Sequence, residues 1–250
     1  MRIIFIKSVF VPDNIQYVRN VKSIKSFIKY IAKKELLIDI YLIGWIKNDN
    51  NKKKILDILV RLMDKYLIKN NMNVKYLFWS ENMGKIYLLK NIKYYCKDYH
   101  NYDYMIYSDH DIIFNTNNDI LKCDYVKLFK TKHDNKQIMM VSFDQYLDNR
   151  HYPKVYLNKI EIDKITYYKS NDNKHIASGC FVCDIQLISD FALLKSDHVY
   201  GDEDILIGKM NNNNNYINLL SSIKIIHPFD QDRKYIEWKR NKIINILKHF

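Results

Sequence analysis

Cysteine, glycine and long apolar runs are all scarce in this chain, and each scarcity removes a class of protein. Four cysteines, Cys96, Cys123, Cys180 and Cys183, are too few and too scattered across 250 residues for a disulfide framework. No uninterrupted apolar stretch approaches the ~18 residues that crossing a bilayer requires. Five glycines leave no Gly-rich loop after the first apolar run, where Lys7-Ser8-Val9-Phe10-Val11 stands instead. No low-complexity spacer divides the chain, so one domain is expected over residues 1–230, with a short appendage at 231–250. The N-terminal apolar run is broken by Lys7 and followed at once by Pro12 and Asp13, unlike a secretory signal, which reads as a cytoplasmic protein.

Charge is strongly one-sided. Forty Lys and Arg against 28 Asp and Glu give +12, an excess that attracts nucleic acid, anionic lipid or phosphorylated small molecules without choosing among them. Much of the Lys lies beside Asn, Ile and Tyr throughout the chain, a bias that AT-rich coding would also produce.

Through the first half, short β-type runs alternate with stretches of helical period. Strands are expected at Arg2–Ile6, Ile38–Ile43, Val74–Trp79 and Tyr104–Tyr107. Helices are expected at Ile15–Ala32, Lys52–Ile68 and Met83–Cys96, the first with Val21, Ile24, Ile28 and Ile31 as one apolar stripe and the second with Ile55, Leu59, Leu62 and Tyr66. This rhythm predicts an α/β fold with parallel strands and right-handed crossovers. Beyond Asp111 the pattern loosens. Ile138–Phe143 and Ser178–Asp184 read as strands, Tyr146–Ile165 as irregular, a helix starts near Asp202, and Ile223–Ile226 is a last strand ending at His227. Asn211–Asn215 reads as a loop without packing value, and Tyr235–Leu247 as a basic amphipathic helix suited to peripheral contact with an anionic membrane. Cys180 and Cys183 sit three apart on a strand, so they point to opposite faces and read as buried thiols, not as a metal or redox pair.

Three clusters carry possible chemistry. Asp109-His110-Asp111 follows an apolar strand; were the backbone to stay extended, both carboxylates would share a side and His110 would turn away. Carboxylate pairs suit hard cations, Mg²⁺ being commonly held by one or two of them plus substrate phosphates. Upstream, Asn82-Met83-Gly84-Lys85 opens a helix; its glycine admits a ligand close to the backbone, and its N-terminus and Lys85 favour phosphate. Downstream, Asp202-Glu203-Asp204 begins another helix, with more carboxylates than a cap needs and of the type required of a general base. His227, at a strand end, offers a nitrogen ligand.

In order, these blocks, together with Val11-Pro12-Asp13-Asn14, Tyr17, Ser23-Ile24 and Ser178-Gly179-Cys180-Phe181, resemble the inverting GT-A glycosyltransferases of family 2. The resemblance implies a Rossmann-like domain with a mixed, mostly parallel sheet, a nucleotide-sugar half at about 1–115 and an acceptor half at about 116–230. It also implies transfer of a sugar from a UDP- or GDP-linked donor to a glycan, lipid-linked or protein acceptor. Mn²⁺ or Mg²⁺ would be held by Asp111 and His227 with Asp109 assisting; the donor would lie against Val11, Trp45, Asn82, Gly84, Lys85, Asp109 and His110. Asp204 would be the base and Glu203 would orient the acceptor, while a one-register slip would make Asp202 the base. Two departures stand out. The run from Asn82 to Asn91 is one residue longer than the family's, leaving Lys85 and Lys90 both open for the diphosphate, and the usual acidic residue after the second strand has no match at Trp45, Asp49 being nearest.

Two other readings are open. A basic nucleic-acid-binding protein would use the Lys and Tyr excess, but the carboxylate clusters would repel a polyanion, so no nucleic-acid partner is expected. A sugar-phosphate nucleotidyltransferase would share the sheet but ordinarily opens with the Gly-rich loop that this chain lacks.

Overall fold

In the computed structural model the described residues are 1–34, 36–62, 65, 72–114, 119–146, 156–170, 179–195 and 203–227. The first half alternates as its hydrophobic periods require: β1 (Arg2–Val11), α1 (Asn14–Ile31), β2 (Leu37–Ile46), α2 (Asp49–Leu62), β3 (Asn73–Trp79), α3 (Gly84–Tyr95) and β4 (Tyr104–Ser108). The second half adds α4 (Tyr125–Phe129), β5 (Lys132–His133), β6 (Lys136–Tyr146), β7 (Tyr156–Ile162), β8 (Ile165–Ser170), β9 (Cys180–Asp184), α5 (Leu187–Phe191), α6 (Glu203–Asn213) and β10 (Tyr216–Ile226).

The ten strands of the described residues join one mixed sheet in the order β3-β2-β1-β4-β9-β6-β10-β8-β7, with β5 on β6. Strands β1 to β4 pair in parallel, as does β6 with β10; only β9, β8 and β5 run against the common direction. The fold is therefore α/β with a mostly parallel, Rossmann-like sheet. Its order reverses between β1 and β4: the chain steps outward from β1 to β2 to β3, then returns across β1 to lay down β4. A right-handed crossover must change faces when the direction reverses. Accordingly α1 and α2 pack one core with Ile3, Phe5, Ile40 and Ile106, while α3 packs the other with Ile4, Ile6, Met105 and Tyr107.

Both β1 and β2 are longer than their most apolar stretches suggest, because Lys7, Ser8 and Trp45 continue the ladder in register with β4, β2 and β3. Gly44 is needed where those strands meet: a Cβ there would lie 1.8 Å from the Val9 carbonyl oxygen. Asp13 caps α1 by accepting from the Gln16 amide at 2.8 Å.

Three expectations are corrected. Within 146–165, of which 147–155 lie outside the described residues, β7 is a strand that pairs with β8, with one register shift between Tyr156 and Asn158, and turns through Asp163-Lys164, both at positive φ, the conformation of a tight right-twisted hairpin. Residues Asn211–Asn213 belong to α6, and Asn211 is fully buried, its amide donating to Asn218 Oδ1 at 2.5 Å; a side-chain pair, not turn propensity, governs that stretch. The last strand begins at Tyr216, well before Ile223. The thiols behave as the strand period requires: Cys180 lies in one core and Cys183 in the other. Ser178, Asp202 and the segment 235–247 lie outside the described residues. Among the described residues no helix is long and apolar enough to cross a membrane.

Candidate functional site

Parallel strands present the carboxyl ends of β1, β2, β3 and β4 at one edge, and ligands of open α/β sheets bind outside that edge where the strand order reverses. The reversal between β1 and β4 brings Val11, Trp45 and the segment Ser108–Asp111 together there.

The backbone does not stay extended through Asp109-His110-Asp111. β4 stops at Ser108, and the chain turns, with the Ile112 amide 3.4 Å from the Asp109 carbonyl. The expected shared side for the two carboxylates is thereby lost. Asp109 leans toward α3, accepting from the Tyr107 hydroxyl at 2.7 Å and pairing with Lys85 Nζ at 3.2 Å. Asp111 is buried instead between two imidazoles: His227 Nε2 is 3.1 Å from its Oδ1 and His110 Nε2 is 3.9 Å from its Oδ2. His110 is thus drawn in, not turned away; its ring also contacts Gln16 Oε1 at 3.1 Å and packs edge-on to Phe10.

His227 reaches this point because Ile226, at the end of β10, forms an antiparallel bridge with Ile113, the Ile113 amide donating to the Ile226 carbonyl at 2.8 Å. Helix α1 fixes the other flank. Ser23 Oγ donates to the Ile112 carbonyl, Ser26 Oγ accepts from the Phe114 amide at 3.1 Å, and Asn20 caps the amide and carbonyl of Phe10, where β1 has outrun β4.

Beneath the turn lies Lys7, fully buried on β1, donating to Ser108 Oγ at 3.1 Å and to the Asp109 carbonyl. Burial pulls its ammonium down to about 8, against the charges of Asp111 and Asp109. Burial alone would raise Asp111, but the charges of His110, His227 and Lys7 prevail and hold its carboxyl well below the ordinary range. Burial likewise favours the neutral form of His110, opposed by Asp111 and Asp109.

The remaining candidates fall around this centre. Gly84 takes φ 76° at the start of α3, its amide donating to Asn82 Oδ1 at 3.3 Å, and Lys85 lies buried over the Tyr107 ring, 4.8 Å from its centroid. Lys90 lines a shallow outer depression with Tyr87, Asn91, Lys93 and Tyr94, so of the two lysines it is Lys85 that faces the sheet edge. Trp45 packs against Phe10, centroids 5.8 Å apart, which with His110 makes an aromatic wall beside the ends of β1 and β2. Glu203 and Asp204 open α6 and are half-buried; burial and the charge of Asp109 hold the Tyr107 hydroxyl well above its ordinary range, with Glu203 a lesser contributor. Sequence reasoning passed over Lys7, Gln16 and Asn20. The signals were there: a lone charge inside an apolar strand, and two amides one turn apart on the buried face of an amphipathic helix.

No protein-family model matches the chain, and no curated protein matches it in sequence. Among solved structures, that of a UDP-glucose pyrophosphorylase complexed with UDP-glucose is similar at 9% identity with a TM-score of 0.47, over 90% of this chain and 92% of that one. At that similarity the likeness speaks to neither substrate nor reaction.

Proposed function

We propose that the chain is a metal-dependent glycosyltransferase that moves a sugar from a UDP- or GDP-linked donor to an acceptor hydroxyl with inversion. The observation that carries this reading is the convergence of Asp111 and His227 at the switch point of the sheet. Oδ1 of Asp111 is buried and stands 3.1 Å from His227 Nε2. A carboxylate oxygen and an imidazole nitrogen so placed fit Mn²⁺ or Mg²⁺, one or two protein donors being enough where substrate phosphates complete the shell. Among the described residues no three His, Cys, Asp or Glu side chains cluster as a metal site, so Asp109, turned to Lys85 and Tyr107, does not join Asp111 and His227 as a third ligand. When bound, the cation supplies Lewis acidity to the departing nucleoside diphosphate.

The chain's own groups do the rest. Lys85 exchanges part of its contact with Asp109 for a phosphate oxygen at the start of α3. The base of the nucleotide lies along Trp45, Phe10 and His110, near Val11, and Asp109 receives the ribose. The acceptor oxygen gives its proton to Asp204 and bonds to the anomeric carbon on the face opposite the leaving phosphate, whose bond to that carbon breaks. Glu203 orients the acceptor; with the register shifted, Asp202 takes the proton.

Calorimetric titration with UDP, GDP and their sugar conjugates, with and without Mn²⁺, tests the reading. Binding strengthened by Mn²⁺ in the wild type and that strengthening lost in Asp111→Ala is the expected result. No nucleotide gaining from metal, or an Asp111→Ala variant that behaves as wild type, would overturn it. Release of nucleoside diphosphate from a donor panel names the sugar, whereas nucleoside triphosphate formed from pyrophosphate would mark nucleotidyl transfer.

A further inference from the structure

A fully buried ammonium is costly, and Lys7 is more than its hydrogen bonds require. Its direct partners are neutral, the Ser108 hydroxyl and the Asp109 carbonyl, so an uncharged donor would also hold the turn. What a lysine adds is a positive charge beneath the turn that carries Asp109 and Asp111, where it favours both carboxylates. The turn is held further by Ser108 Oγ and the Ile112 amide, both directed at that same Asp109 carbonyl.

We infer that Lys7 is an internal counter-ion that sets the Asp111–His227 site to accept a divalent cation only together with a nucleoside diphosphate. The inference rests on the reading of Asp111 as a metal ligand. Its reason is Coulombic. With Lys7 balancing Asp111, a bare dication meets a site of almost no net charge and is repelled by a neighbouring ammonium in a poorly screened setting. The charges of a diphosphate restore the attraction, so cation and nucleotide stabilise each other's binding, reciprocally. Free cation is thereby kept from occupying the site ahead of the donor. Lys7 acts through Asp111 and is a positioning residue, not a catalytic one.

The test measures Mn²⁺ binding by electron paramagnetic resonance, with Mn²⁺ alone and with Mn²⁺ plus UDP or GDP. The proteins are the wild type, Lys7→Met, Lys7→Gln, Lys7→Arg and Ser108→Ala, each checked for folding by circular dichroism. The wild type should bind Mn²⁺ weakly alone and much more tightly with nucleotide. Lys7→Met and Lys7→Gln should bind Mn²⁺ alone on the order of tenfold more tightly than wild type, closing part of that gap. Lys7→Arg keeps the charge and Ser108→Ala keeps the lysine, so both should match wild type. Lys7→Gln retains a donor for the turn and carries the test where Lys7→Met does not fold. A merely structural lysine predicts weaker metal binding on its loss; unchanged or weaker binding of Mn²⁺ alone in the neutral variants overturns the inference while leaving the proposed function standing. A wild type whose Mn²⁺ binding is indifferent to nucleotide overturns both.

Discussion

The carboxylate of Asp111 and the imidazole of His227 face each other at 3.1 Å, the contact on which the proposed metal site rests. Removal of an outer-shell partner alone typically weakens metal affinity ~10–100-fold, so loss of a donor in the proposed site should cost no less. His227→Ala is therefore expected to weaken Mn²⁺ affinity in the nucleotide complex by at least about tenfold with the fold intact, measured by calorimetry and circular dichroism; unchanged affinity would remove His227 from the site. Asp109 plays a different part. It is engaged by Tyr107 and Lys85 on the α3 side, so the two acids of the motif serve opposite flanks of one strand end. Both acids and His227 were legible as ligand types. Their division was not, because a turn at Asp109 replaced the extended backbone on which period-two reasoning depends.

At the level of elements, the site depends on close joints between strands and helices. Gly44 allows β2 to approach β1 where Phe10 and Trp45 pack, and a methyl group there would meet backbone, which has no rotamer to change. Gly44→Ala should lower stability by about 1–3 kcal/mol or more in urea denaturation, overpacking against fixed atoms being the mechanism. A second joint ties α6 to β10. Asn211 donates to Asn218 in a buried setting, so one hydrogen bond links the helix that carries Glu203 and Asp204 to the strand that ends beside His227. Asn211→Ala leaves Asn218 Oδ1 without that donor and should cost about 1–3 kcal/mol. If catalysis needs that spacing, turnover should fall by more than nucleotide affinity, a split that steady-state kinetics and calorimetry would read.

Across the whole molecule, distant segments are stapled by carboxylates. Asp39 on β2 accepts from Arg2, Asn73 and Tyr102, joining three strands and the loop before β4; Asp119 accepts from Tyr30 at 2.5 Å and pairs with Lys34, fastening the segment after the site to α1. Burial would raise both carboxyls, but their hydrogen-bond donors prevail and lower them from the ordinary 3.8. A lowered carboxyl binds fewer protons folded than unfolded, so its contribution is full above about pH 5 and is lost as pH falls through about 4 and below. Thermal unfolding followed from pH 7 to 3 should show melting temperature dropping across that window. Asp119→Asn should flatten the drop; an unaltered profile would show that the staple contributes nothing. Positive self-repulsion in a chain of charge +12 steepens the same decline as the other carboxyls lose their charge.

The sequence by itself determined the first half of the fold. Alternating periods of two and 3.6 in continuous apolar runs leave few alternatives to parallel strands with helices on both faces, and the strand period alone placed Cys180 and Cys183 in separate cores. It also supplied the candidate site residues, acids, imidazoles and a lysine at helix starts and strand ends. Only the tertiary structure decided the rest. The β7–β8 hairpin, the extent of β10 and the burial of Asn211 rest on cross-strand and helix-to-sheet contacts that no local window contains. So does the meeting of His227 with Asp111, made by one bridge between Ile113 and Ile226, and the place of Lys7 beneath them, made by its register with Ser108. Local periodicity fixes which way a side chain points from its own backbone; which partner it finds is set by strand order, a property of the folded sheet alone.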